Sequence, residues 1–268
     1  MIRRFAYLCL AIAVLTAPAR AQQIDEIVQL RLLPGWRLAG GDHMAGLEIS
    51  LRDGWKTYWR APGDAGIPPR FDWRGSNNLD GVEVIWPSPR VISQGGLRSI
   101  GYKDHVVLPL RIRPKRAGRP VTLDGTIEMG VCSDICVPVT LSARQVLPFD
   151  QTRPTPRIAA ALASRPYSAA EAGVSRVVCT LSPRSDGLAL GAEIDMPPRG
   201  GQETVVIEVD TPGIWVAPAK TVRQGRRLLV STRLSHVEGR AFALDRSGIR
   251  LTVLGTGPAV DIQGCPAG

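Results

Sequence analysis

Apolar and polar residues alternate along most of the chain. "HMAGLEISLRDGW" (His43–Trp55), "GLALGAEIDM" (Gly187–Met196), "ETVVIEVD" (Glu203–Asp210), "RRLLVSTRL" (Arg226–Leu234) and "GIRLTVLG" (Gly248–Gly255) all show it. A period of two sends successive side chains to opposite faces and predicts half-buried strands. Clusters of Gly, Pro, Asp and Asn separate these stretches at intervals of about 8–12 residues, the spacing of β-sandwiches. No collagen-like or solenoid repeat is present. The pattern breaks once, in "DQTRPTPRIAAALASRP" (Asp150–Pro166), where prolines 154, 156 and 166 enclose an alanine-rich stretch suited to one or two helical turns. The chain is therefore expected to be all-β, with a first sandwich over 22–150, a linker over 151–165 and a second sandwich over 166–268.

The N-terminus follows another rule. Arg3 and Arg4 precede an apolar run from Phe5 to Ala17, and Ala19-Arg20-Ala21 follows. This is the form of a secretory signal peptide, and the run is shorter than the roughly 20 residues of a membrane span. Cleavage after residue 21 would leave a soluble protein starting near Gln22 in an oxidising compartment, with the formal charge reduced from +9 to +6. The remaining arginines are mostly single and not interleaved with aromatics, so a solvated basic surface is expected and a nucleic-acid partner is not.

Cleavage would also remove Cys9, leaving Cys132, Cys136, Cys179 and Cys265. Four cysteines in an exported chain suggest two bridges with three possible connectivities. The close pair lies in "GVCSDICVPV" (Gly130–Val139). Its valines favour a strand, and Pro138 disfavours a helix. Read as a hairpin, Ser133-Asp134-Ile135 is the turn, and the two cysteines face each other at the spacing a disulfide accepts. Three readings fit. A bridge over so short a loop is a weak structural clip. An exposed one is open to attack by a partner's thiolate and suits disulfide exchange. A reduced pair could hold Cu(I), with Met129 as an added thioether ligand. Closed zinc coordination needs two more ligands, and His43, His105 and His236 are not paired at ligand spacing. No metal or other cofactor is expected in the exchange reading. The nearby acids Asp134 and Glu128 would raise the thiol pKa and predict a slow, partner-gated thiol.

"DGWKTYWRAPGDAGIPPRFDW" (Asp53–Trp73), "VIWPSPR" (Val84–Arg90), "GYKDHVVLPLRI" (Gly101–Ile112) and the cysteine motif follow one another in order. Together they resemble the N-terminal periplasmic region of the DsbD/ScsB thiol–disulfide interchange family, and the ScsB-like branch most closely. The resemblance implies immunoglobulin-like sandwiches, with Cys132 and Cys136 as the redox pair, Tyr58 beside them and Cys136 as the attacking sulfur. It also implies that reducing equivalents pass to periplasmic thioredoxin-fold disulfide proteins. Because membrane helices and a C-terminal thioredoxin-like module are missing from this sequence, a separately encoded membrane electron donor is expected. A cap loop shielding the cysteines would fall near Pro89–Gly96, with Ile92 or Leu97 in place of an aromatic shield.

The other features have structural readings. Trp55 and Trp59 alternate into a core, and Asp64 holds a turn. His43 and His105 read as surface or satisfied histidines. Cys179 and Cys265 enclose a long loop whose closure stabilises strongly, and they read as a structural disulfide. No Ser-His-Asp order, paired-carboxylate motif or phosphate-cradling glycine loop stands out.

Overall fold

The structure is a computed structural model that describes residues 24–64 and 66–267. The expected signal peptide, with its cleavage site, lies outside the described residues. The described residues begin with the short helix α1 (Ile24–Ile27) and then run through ten strands. These are β1 (Val28–Arg37), β2 (His43–Leu51), β3 (Lys56–Gly63), β4 (Arg70–Asp72), β5 (Leu79–Val84), β6 (Arg90–Gln94), β7 (Leu97–Lys103), β8 (His105–Pro114), β9 (Val121–Cys132) and β10 (Cys136–Leu147). Helix α2 (Pro156–Ala163) follows. Nine more strands complete the chain: β11 (Tyr167–Ser168), β12 (Arg176–Arg184), β13 (Gly187–Asp195), β14 (Thr204–Val209), β15 (Ile214–Val216), β16 (Lys220–Gln224), β17 (Arg227–His236), β18 (Ile249–Leu254) and β19 (Val260–Gln263).

Four sheets result. In the first half, β1-β2-β8-β5 faces β10-β9-β3-β7-β6, to which β4 adds by pairing with β9. Leu47, Leu108 and Leu110 from the one sheet and Trp59, Ile127 and Val131 from the other share a single buried core. The second half repeats the arrangement with β11-β19-β18-β14 and β12-β13-β17-β15, where β16 also pairs with β17. Its core includes Ile194, Leu228, Leu251 and Val253. The fold is all-β, as the alternation predicts.

The period of two can be followed on β9. Ile127, Met129 and Val131 are at most 1 % exposed and face the core, which leaves Glu128, Gly130 and Cys132 on the outer face. The same rule splits β3: Trp59 and Thr57 belong to the inner face, Lys56 and Tyr58 to the outer one.

The alanine-rich stretch forms α2, with proline in its first turn. It packs on the first sandwich and is not a free tether. Ile158 is fully buried against Leu33, Trp36, Met44 and Val107. The two halves also touch directly. The Arg60 guanidinium donates to both carboxylate oxygens of Glu208 at 2.9 Å, while stacking 3.9 Å from the Trp59 ring centre.

Candidate active site

Strands β9 and β10 form a long antiparallel hairpin whose register sets Cys132 directly against Cys136. A disulfide joins them, with the Cα atoms 4.2 Å apart. The turn is closed by the Ser133 amide donating to the Ile135 carbonyl at 3.1 Å. The two sulfurs differ in access. Cys132 is fully buried, whereas Cys136 is exposed, next to Ile135 at 64 % exposure.

Tyr58 lies over the bond. Its hydroxyl is 2.7 Å from Cys132 Sγ and 3.2 Å from Cys136 Sγ. A disulfide sulfur carries no proton, so the phenol is the donor. Burial pushes the Tyr58 pKa up and keeps the hydroxyl protonated. Two glycines make room for the ring. A Cβ at Gly66 would lie 2.6 Å from Tyr58 Cδ1, and one at Gly130 would lie 3.0 Å from Tyr58 Cε2. The Thr57 hydroxyl, on the other face of β3, donates to the Gly130 carbonyl at 2.9 Å and ties the two strands together.

The row of opposed residues continues past the sulfurs. Cys132 pairs with Lys56 on β3, and Lys56 pairs with Lys103 on β7. Cys136, Cys132, Lys56 and Lys103 therefore project from one face in one line across four strands. Lys56 is 7 % exposed, and burial followed by the like charge of Lys103 pushes its pKa down.

The expected cap segment is a hairpin. Strands β6 and β7 are joined by Gly95 and Gly96, both at positive φ (59° and 81°), the conformation of a tight primed turn. Its tip bends over the outer face. The Gln94 side-chain amide donates to the Ser133 carbonyl at 3.0 Å and accepts from Lys56 Nζ at 2.6 Å. Ile92 is 8 % exposed and Leu97 is 54 % exposed, so the hydrogen-bonding contact with the cysteine turn comes from Gln94.

Two readings of the sequence need correction. Met129 faces the core on the opposite side of β9 from Cys132 and is not placed to join the thiols around copper. On β3 the residue opposite Cys132 is Lys56, a cation that the sequence reading did not set beside the acids Asp134 and Glu128. Glu128 lies four residues along the strand, about 13 Å away at strand rise, and is exposed.

The other candidates sit elsewhere. His43 Nε2 donates to the Pro34 carbonyl at 2.5 Å, and His105 pairs with Glu48 at 3.0 Å. Trp55 and Trp59 are in the core. Asp64 accepts from the Arg98 amide and so ties its turn to β7. Cys179 and Cys265 form a second disulfide, each 1 % exposed inside the second core. Lys56 and Gln94 were missed by the sequence reading. The signal for Lys56 was its i, i+2 relation to Tyr58, which puts both on one face of one strand.

Residues 29–148 match the family described as thiol:disulfide interchange protein DsbD, N-terminal. The crystal structure of the N-terminal periplasmic domain of ScsB from Proteus mirabilis superposes with a TM-score of 0.65. Residues 29–148 form a DsbD/ScsB-like N-terminal domain. The ScsB structure is 21 % identical, and the superposition covers 90 % of this chain and 92 % of the ScsB chain, so the likeness of fold extends beyond the DsbD-like segment. The MSCRAMM ACE of Enterococcus faecalis, at 11 % identity and a TM-score of 0.15, shares no usable similarity of fold. No curated protein sequence matches the chain. The cysteine hairpin, Tyr58 and the Gln94 hairpin all lie within the DsbD/ScsB-like segment.

Proposed function

We propose that the protein exchanges disulfides in the periplasm, carrying reducing equivalents through Cys132 and Cys136 to partner thiol–disulfide proteins. One observation carries this reading: an exposed Cys136 disulfide-bonded to a buried Cys132 at a hairpin turn of the DsbD-like segment, with the Tyr58 hydroxyl against both sulfurs. Attack on a disulfide needs access to a sulfur, and Cys136 is the exposed member of the pair. In the donating direction the Cys136 thiolate attacks a partner disulfide, forms a mixed disulfide and releases one partner thiolate. Cys132 then attacks Cys136, the second partner thiolate leaves, and the intramolecular bond is restored. Two electrons pass to the partner. Tyr58 donates a hydrogen bond to whichever sulfur holds the charge. The periplasmic location rests on the N-terminal pattern and on the location of the ScsB domain. The buried Cys179–Cys265 bond acts as a brace and takes no part in exchange.

Trapping tests the proposal. Cys132→Ala leaves the exposed Cys136 without its resolving partner and should accumulate mixed disulfides with thioredoxin-fold proteins, whereas Cys136→Ala should accumulate few. Absence of mixed disulfides from both variants, together with a reduction potential below about −300 mV for the hairpin bond, would make that bond structural.

A further inference from the structure

We propose that Lys56 is a positioning residue for the exchange: its ammonium is the counter-charge for the thiolate that forms on Cys132 when the hairpin disulfide opens. The inference rests on the exchange reading above. It starts from an otherwise unexplained feature, a lysine only 7 % exposed. A buried ammonium normally has a carboxylate partner, because its desolvation is costly. Among the described residues Lys56 forms no ion pair. Its side-chain hydrogen bond goes to a neutral acceptor, Gln94 Oε1 at 2.6 Å, and its neighbour in the sheet row is another cation, Lys103. Glu128 and the turn acid Asp134 are both exposed, and so is Arg90 of β6. Asp104 follows Lys103 and is exposed as well. The phenol of Tyr58 is neutral.

The other neighbour in the row is Cys132. Directly opposed residues on one face of an antiparallel pair have Cβ atoms about 4.5–5.5 Å apart. A chain of two hydrogen bonds, Lys56 to Gln94 and Gln94 to the Ser133 carbonyl, also leads from the ammonium to the residue beside Cys132. With the disulfide intact, the charge beside Lys56 is missing. Reduction supplies it.

The chemistry makes that charge matter. A donor thiolate attacks the exposed Cys136 Sγ, the Cys132–Cys136 bond breaks, and Cys132 leaves with the bonding pair. A second donor thiolate then resolves the mixed disulfide: the donor becomes a disulfide and Cys136 leaves as thiolate. Two electrons enter the chain, and the two donor thiols supply two protons. Cys132 is the leaving group in the first step, and a lower leaving-group pKa speeds that step. An opposite charge brought close to a thiolate lowers its pKa, and the Lys56 side chain, opposed to Cys132 across the strand pair, is long enough to reach that sulfur. Lys56 and Tyr58 thus stabilise the same sulfur, one by charge and one by hydrogen bond.

The test compares full-length wild type, Lys56→Met and Lys56→Arg. Thiolate ionisation of the reduced proteins is followed by ultraviolet absorbance against pH, and the redox equilibrium is measured with glutathione. Lys56→Met should raise the Cys132 thiol pKa by about one unit. At pH above both pKa values it should also shift the equilibrium about tenfold toward the disulfide, equivalent to about 30 mV more negative. The shift should vanish at acidic pH, where both thiols are protonated and no charge needs a partner. Lys56→Arg should restore most of the wild-type behaviour. Unchanged thiol pKa and equilibrium in Lys56→Met, in a wild type that does exchange with glutathione, would overturn the role of Lys56 alone. A wild type that does not exchange would overturn the exchange reading and this inference together. If Lys56→Met does not fold, the ε-carbon resonance of Lys56 in the wild type gives the same answer. Its ammonium pKa should rise on reduction, and an equal value in both redox states would refute the counter-charge.

Discussion

The Cys132–Cys136 bond closes a three-residue turn at the end of two strands, with one of its two cysteines exposed. The Cys179–Cys265 bond joins residues 86 apart in the chain, with both sulfurs in a hydrophobic core. In the chain-entropy account, the loop between the cysteines sets how much a bond constrains the unfolded chain. Access and local charge set how readily the bond exchanges. The two bonds fall at opposite ends of both scales. The one expected to stabilise least is the one proposed for exchange, with a phenol on its sulfurs, an amide on its turn and a lysine opposite Cys132.

Reduction under native conditions should separate the bonds most widely. Thiol attack on Cys179–Cys265 requires opening of its core, and global stabilities of at least about 5 kcal/mol imply protection of at least about 10³-fold relative to the hairpin. Timed alkylation with mass spectrometry measures both rates, and similar rates would erase the contrast. Stability should order the bonds the other way. Replacing Cys179 and Cys265 by alanine should cost about 4–5 kcal/mol, against about 2 kcal/mol for Cys132 and Cys136, read from denaturant midpoints. A larger loss from the hairpin pair would reverse the assignment of roles. A smaller effect is expected from Tyr58→Phe, which removes one hydrogen bond to a developing thiolate. Exchange with glutathione should slow about tenfold with little change in stability; an unchanged rate would leave the phenol as packing only. Smallest of all, Arg60→Ala removes the paired contact with Glu208 and should lower stability by about 1 kcal/mol while leaving exchange as it was. A change in exchange rate there would mean that the second sandwich influences the hairpin.

Much of this contrast was readable in the chain itself. Alternation along Gly187–Met196 announced a strand with one face in a core and one turned outward. Along His43–Leu51 both faces are covered, the second partly by α2, although the sequence alternates. The turn between Cys132 and Cys136 was legible because valines and a proline excluded a helix locally. Lys56 was not, because its partnership with Cys132 depends on β3 lying beside β9, and a pairing across 76 positions leaves no local trace. Gln94 was hidden for a related reason: its hairpin bends back over the sheet, which neither strand propensity nor turn residues specify. Met129 is different. Its odd number against the even number of Cys132 on a single strand already placed the thioether on the other face, so the period of two, applied strictly, would have excluded it.

The same parity has a practical consequence. Val131 and Thr57 are held inward by the packing of the first sandwich, and this alone turns Cys132, Lys56 and Tyr58 outward together. A slip of one residue between β9 and β3 would bury the sulfur among leucines and leave a valine in its place. The greasy interior thus serves as the jig that aims the two sulfurs proposed to carry electrons, and faults in its fit would surface first as misdirected sulfur chemistry.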